Sequence, residues 1–296
     1  MDKSFRPTVK KFILLNALVF ATACNPATTM SNTPNPTPGN SAASTTSSNS
    51  SNSACKTSHF IVLGGNSVYT ALFCQETQTF LAGPNLANIT GTDVAMFRLN
   101  AGSQAGKIFI VHAGNQSSTS IYDPIANTLV PGPALTANAL YGCHAFFIDS
   151  GLQIGKYLII HGGALTTTSL YDPVTNTMAV GPTLSGGASY NAHAQAVAGG
   201  KTMVIHGNVS VGTSLYDPTT HTFSAGPNLS GNAGVGLLSI KIESGPQIGK
   251  VLVAHGNNGT SSSVYDPVGN SFVAGPALTA ASGLGANAIS IQSGSN

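Results

Sequence analysis

Charge is what this chain has least of. Of its 296 residues, Lys and Arg supply 11 and Asp and Glu 9, together 7%, against roughly 25% in an ordinary soluble domain. That scarcity excludes a nucleic-acid binder that works by neutralising phosphates, which needs a dense Lys/Arg face. It also excludes a coiled coil and long surface helices, whose flanks must be charged. Long apolar runs are missing too. Nothing after residue 23 approaches the roughly 18 apolar residues of a spanning helix, so the chain is not a multispan helical membrane protein. The sequence has no phosphate-binding loop, no dinucleotide glycine fingerprint, no Gly-x-Ser-x-Gly elbow and no Cys-x-x-Cys. Tryptophan is absent altogether. Gly, Ser, Thr and Asn stand where charges would be.

The N-terminus reads as an export signal over residues 1–23. Lys3, Arg6, Lys10 and Lys11 form a basic start, and Phe12 to Phe20 is apolar apart from Asn16. The small residues Ala21-Thr22-Ala23 then precede Cys24, as a signal peptidase requires. A Cys in that place resembles the lipobox of bacterial lipoproteins, although Ala21 departs from the usual Leu. The resemblance implies a lipid on Cys24 and a membrane anchor; ordinary cleavage at the same bond, giving a secreted protein, is the alternative. Residues 25–54 are almost wholly Asn, Pro, Ala, Thr, Ser and Gly. Such a segment cannot bury enough surface to offset its ordering entropy. With Cys24 it reads as a disordered tether, residues 24–54, of roughly 30 Å r.m.s. reach. Removal of residues 1–23 leaves 7 cations and 8 anions.

From residue 55 to 296 the chain repeats. Tyr-Asp-Pro recurs at Tyr122, Tyr171, Tyr216 and Tyr265, at spacings of 49, 45 and 49, and a degenerate copy begins at Phe73, another 49 residues earlier. Gly-Pro follows each of these five residues by ten positions, at Gly83, Gly132, Gly181, Gly226 and Gly275. Ten positions before them stand Leu63, His112, His161, His206 and His255. Each unit has four short apolar runs between Gly, Pro and Asn turns, which predicts a four-stranded antiparallel sheet. No sustained helical period is present, so no long helix is expected. One such sheet cannot cover both its faces, but five packed around an axis can. The expected fold is all-β, a five-bladed β-propeller.

The Tyr-Asp-Pro-x-x-x-Thr segment, with Gly-Gly before it at Gly64-Gly65 and Gly162-Gly163, resembles the kelch repeat, and the period near 50 agrees. The resemblance departs from kelch in one column. Phe80, Leu129, Met178, Phe223 and Phe272 stand where kelch blades usually carry Trp. The first unit begins at its second strand, and Ala286 to Gln292 matches the missing first strand. The C-terminal strand is therefore expected to complete the first blade, since an open ring would expose sheet edges.

Cys55 and Cys74 flank the first hairpin, so a disulfide between them is expected, worth roughly 3 kcal/mol for a loop of about 20 residues. Two free thiols are the alternative. Cys143 reads as a small apolar residue of an innermost strand.

The acids offer little chemistry. Asp123, Asp172, Asp217 and Asp266 belong to the repeated turn and are expected to bond within it. Lys107, Lys156, Lys201 and Lys250 are expected to pair with them. Glycoside hydrolysis needs two carboxylates flanking one bond, and Glu76, Asp93, Asp149 and Glu243 are spread over different units.

The histidines carry more. His112, His161, His206 and His255 end each second strand, while His144 and His193 begin innermost strands. Alternating strand direction puts both sets on one face of the disc, with Tyr141 and Tyr190. That ring is a candidate site for zinc or copper; the competing reading is packing, with each imidazole bonded to its neighbours. Arg98 and Lys241, in matching columns of innermost strands, are candidates for an anionic ligand. The resemblance implies ligand binding around the axis on the loop face. Copper oxidases on kelch-like propellers use a Tyr–Cys crosslink with paired His, and no local pattern here carries that over.

The expectation is thus an exported, lipid-anchored or secreted binding module of the bacterial envelope. No cofactor is required and no nucleic acid is bound. A protein or glycan is the ligand, with His144, His193, Tyr141, Tyr190, Arg98 and Lys241 as candidate contacts. The alternative is a propeller enzyme acting on a small sugar or similar metabolite.

Overall fold

The computed structural model describes residues 58–91, 93–283 and 286. The segment 1–57, on which the expected signal, Cys24, the expected tether and Cys55 fall, lies outside the described residues, as does most of the expected closing strand 286–292.

The described residues form nineteen strands in five antiparallel sheets. The first blade has β1 (Ser58–Val62), β2 (Thr70–Cys74) and β3 (Thr79–Ala82). The second has β4 (Ala95–Arg98), β5 (Ile108–Val111), β6 (Thr119–Asp123) and β7 (Thr128–Pro131). The third has β8 (His144–Phe147), β9 (Tyr157–Ile160), β10 (Thr168–Asp172) and β11 (Thr177–Val180). The fourth has β12 (His193–Ala196), β13 (Thr202–Ile205), β14 (Thr213–Asp217) and β15 (Thr222–Ala225). The fifth has β16 (Leu238–Lys241), β17 (Val251–Ala254), β18 (Ser262–Asp266) and β19 (Ser271–Ala274). Within each sheet neighbours in sequence are neighbours in space. The first strands β4, β8, β12 and β16 touch in succession, which makes them the innermost. The fold is a five-bladed β-propeller. Among the described residues the first blade shows three strands, and its β1 corresponds to the second strand of the others. The helical pieces described are two three-residue 3-10 turns, Gly102–Gln104 and Ala198–Gly200.

Burial follows from the stacking of blades. The second strands β9 and β13 are buried at every position, because a neighbouring blade covers each of their faces. Outer strands such as β11 and β15 are mostly exposed. The apolar clusters lie between blades: Phe109, Val111, Tyr157 and Ile159 pack the second blade on the third. Met203, Ile205, Val251 and Val253 do the same between the fourth and fifth.

Each repeated column now has a physical reason. In the turn from third to fourth strand, Asp172 Oδ1 accepts from the N–H of Val174 and Thr175, at 2.9 and 3.3 Å. Its Oδ2 lies 3.4 Å from Lys156 Nζ. Burial opposes ionisation of Asp172, but those N–H groups and Lys156 outweigh it and hold the carboxyl below its ordinary range. The three other Lys–Asp pairs form as expected. The Tyr of the motif is buried, and its hydroxyl bonds five residues on, Tyr171 to Asn176 Oδ1 at 3.0 Å. Asn176 has φ 54°, and Asn127 and Asn270 likewise sit in the left-handed region that Asn tolerates. In the Gly-Pro loop, the hydroxyl of Thr119 donates to Pro133 O at 2.8 Å. A Cβ on Gly132 would come within 2.5 Å of that hydroxyl oxygen, so glycine is required there.

Cys74 is disulfide-bonded; its expected partner, Cys55, lies outside the described residues. Cys143 is a free, buried cysteine.

Candidate functional site

Strand direction gives the disc an upper end, where first strands begin and second strands finish, and a lower end, where first strands finish and third strands turn. His144 and His193 open β8 and β12 at the upper end, held by antiparallel pairing with Ile160 and Ile205. Their rings lie 5.2 Å apart between centroids, inclined by 45°. The loops just ahead of those strands bring Tyr141 and Tyr190 face to face, 3.7 Å apart with planes 4° from parallel. The loop closeness depends on Gly142, at φ 74°, where a Cβ would overlap the carbonyl oxygen of Ser189. Asp93 fixes the same loop from the second blade. Its Oδ2 accepts from Gly142 N–H at 2.7 Å, and its backbone oxygen accepts from the Cys143 thiol at 3.0 Å.

This cluster sits to one side of the axis, between the third and fourth blades. The matching columns carry Ala95 and Leu238 in place of His, and Val235 in place of Tyr. Burial, and then the neighbouring His193, lower the pKa of His144 to about 4. Burial lowers that of His193 as well. Both imidazoles are therefore neutral at neutral pH, each with one donor and one acceptor nitrogen. Burial and the Asp93 charge push the Cys143 thiol up to about 12, so it is a packed thiol and not a nucleophile. Asp93 is the residue that sequence reasoning missed. Its signal was its position, 49 residues before Gly142, in the loop leading to an innermost strand.

The column of four histidines does something else. His161 Nδ1 lies 2.8 Å from Thr167 Oγ1, and its Nε2 lies 2.7 Å from Ser169 Oγ. His112 and His255 make the same two contacts with Ser118 and Ser120, and with Ser261 and Ser263. In His206 only Nε2 has such a contact, to Ser214, because Gly212 replaces the other hydroxyl. The serine then reaches across the blade boundary. Ser169 Oγ accepts from Thr136 N–H at 3.0 Å and meets Thr136 Oγ1 at 2.8 Å. Ser214 with Ser185 and Ser263 with Ser230 repeat this. Burial lowers His112, His161 and His206 to about 4. The candidate metal ring is thus a set of hydrogen-bonded core residues. Among the described residues no group of three or more His, Cys, Asp or Glu comes together as a metal set.

Arg98 and Lys241 do not join the histidines and tyrosines. Both end their innermost strands and so lie at the lower end. Arg98 lines a cleft of about 350 Å³ with Phe60, Met96, Phe97, Ile108 and Tyr122, and Lys241 is not part of that lining. The candidate contacts therefore divide into an upper cluster of four and two separate lower cations.

No protein-family model and no curated protein matches this sequence. Among solved structures, the chain is similar to YjhT at 13% identity, over 74% of this chain and 81% of that one, with a TM-score of 0.52. A fungal alcohol oxidase of the AA5 family in complex with copper aligns at 14% identity over 74% of this chain and 60% of that one, with a TM-score of 0.43. At such identities the YjhT likeness is one of fold. It agrees with the repeated blades that the chain folds as a β-propeller.

Proposed function

We propose that the protein is an exported binding module of the bacterial cell envelope that takes an uncharged glycan on the upper end of its axis. The observation that carries this reading is the separation of aromatic groups from charge. Every described Lys and Arg lies at the lower end, and so does every described acid except Asp93. Asp93 is engaged by the Gly142 N–H. The upper end offers Tyr141 and Tyr190, two neutral imidazoles, and the exposed amides of Asn115, Asn208 and Asn257. Aromatic faces cover the C–H faces of sugars, and neutral donors and acceptors bond hydroxyls without discriminating by charge. A charged ligand would find nothing on this end to neutralise it.

A glycan array carrying neutral and acidic oligosaccharides tests the reading. Neutral hits that disappear in Tyr190→Ala and His193→Ala support it. Capture of one envelope protein with a silent array replaces the glycan by a protein ligand. Recovery of bound sugar in altered form turns the module into an enzyme, the second reading. The single acid at this end does not favour that one, since hydrolysis of a glycosidic bond uses two carboxylates.

Export and anchoring rest on the basic start, the small residues before Cys24 and the polar tether. Mass spectrometry of the mature N-terminus tests them: a diacylated Cys24 is expected, and an unmodified one means a secreted protein.

A further inference from the structure

The lower end of the disc bears a set of side chains that the fold does not use. Ile125 and Val268 are 98% and 94% exposed, and Val174, Leu152, Ile154 and Ile248 between 62% and 69%. Ile125, Val174 and Val268 share one column, two residues past the Asp of the third-to-fourth-strand turns. Leu152, Ile154 and Ile248 belong to the hairpins that join first and second strands. The two kinds of turn meet across blades, because Leu152 N–H donates to Pro218 O at 3.0 Å. Elsewhere among the described residues Val180 on an outer strand is 77% exposed, and the other exposed aliphatic residues, such as Val273, Val209 and Ile89, are below 60%.

The chain also enters the disc here. As the counterpart of a second strand, β1 runs from the lower end to the upper, so Ser58 lies at the lower end. A tether from Cys24 would meet the disc on the side of the aliphatic tips. This part of the argument rests on the anchoring reading; the tips do not.

We propose that the lower end seats on a lipid surface, with the aliphatic turn tips entering the headgroup boundary. Separate protruding tips suit a deformable surface that wraps each of them. A folded partner would need a matching socket for every one. The charges at this end nearly cancel, with four Lys–Asp pairs and Arg98 and Lys241 set against Glu76, Asp149 and Glu243. Attraction to anionic lipid therefore contributes little, and burial of apolar surface drives the seating. The upper end, with its tyrosines and histidines, then points away from the membrane.

The test is vesicle co-sedimentation of the full chain carrying Cys24→Ser, which removes any lipid anchor. This chain is compared with the same chain carrying Ile125→Ser, Leu152→Ser, Ile248→Ser and Val268→Ser as well. Residues 1–23 are common to both and scale the two partition coefficients alike, so partition coefficients from a lipid titration are compared, not the fraction bound at one lipid concentration. The tips are exposed, and equal melting temperatures verify that the fold is kept. The expected result is a drop of about tenfold or more in the partition coefficient. It should be the same for phosphatidylcholine vesicles and for vesicles with phosphatidylglycerol added, and insensitive to salt. A gain variant, Thr219→Ile, places an aliphatic tip in the fourth blade and is expected to raise binding. Equal sedimentation of the two chains overturns the proposal, as does a loss confined to phosphatidylglycerol vesicles and abolished by salt. Neither outcome touches the glycan reading or the fate of Cys24.

Discussion

His161 Nε2 lies 2.7 Å from Ser169 Oγ, and through that one hydroxyl a second strand of one blade is tied to the Gly-Pro loop of the blade before it. Ser169 is fully buried, so its partners have no water to turn to. Ser169→Ala leaves the His161 nitrogen and the Thr136 N–H without their partner, and a loss of about 2–4 kcal/mol is expected. Urea unfolding measures it. A loss no larger than that of an exposed serine, such as Ser224→Ala, would mean that the contact does not clamp the blades.

The buried imidazoles set the response to acid. Burial lowers His112, His161, His206 and His144 from 6.5 to about 4. The unfolded chain therefore binds more protons than the folded one between those values. Stability is at its full level above about pH 6.5 and is lost progressively as pH falls toward 4. The turn aspartates, whose carboxyls are held below 3.8, add a further loss below that. Urea midpoints measured from neutral pH down to about 4 should fall steadily. A flat profile would show that these histidines are protonated in the folded state.

Within a turn, the two members of an ion pair are not equivalent. Lys156→Ala removes only a partly exposed charge 3.4 Å from Asp172 and is expected to cost less than about 1 kcal/mol. Asp172→Ala also strips the acceptor from the N–H groups of Val174 and Thr175, adding about 1 kcal/mol or more. Equal effects in denaturant titrations would assign the whole contribution to charge pairing.

Gly132 is kept by a clash and not by its backbone angle. A Cβ there meets Thr119 Oγ1 at 2.5 Å. Gly132→Ala is expected to destabilise by about 1–3 kcal/mol. Combining it with Thr119→Ala removes the obstructing oxygen, so the double variant should be less destabilised than the sum of the two. Strict additivity would disprove the clash.

The blade count, strand order and ends of the disc were legible because Tyr-Asp-Pro and Gly-Pro recur in register, and each residue type has one local job. The role of the four-histidine column was only half legible. Its hydroxyl partners were in plain sight, since Ser120, Ser169, Ser214 and Ser263 each stand two residues before the motif Tyr. Which hydroxyl meets which ring nitrogen depends on the pairing of strands, as His161 shows. At the upper site, Tyr141 with Tyr190 and His144 with His193 were visible as pairs 49 residues apart. Their stacking was not, because it depends on how closely Gly142 lets two loops approach. The split of Arg98 and Lys241 from that cluster followed from strand direction alone and could have been drawn from the sequence. The exposed tips could not, since an isoleucine after Asp-Pro looks the same whether it is covered or bare.

The first blade keeps the Gly-Pro column but departs from its fellows in three others. Leu63 stands for His, Cys74 for Asp, and Ala87 where Thr136, Ser185 and Ser230 carry their hydroxyls. Among the described residues, the boundary between the first and second blades thus lacks the Ser–Thr or Ser–Ser clasp of the next three, and the described chain enters the first blade at Ser58. Force applied to the chain at Ser58 would therefore act beside a boundary without that clasp, and a disc pulled from there would begin to unravel at its first blade.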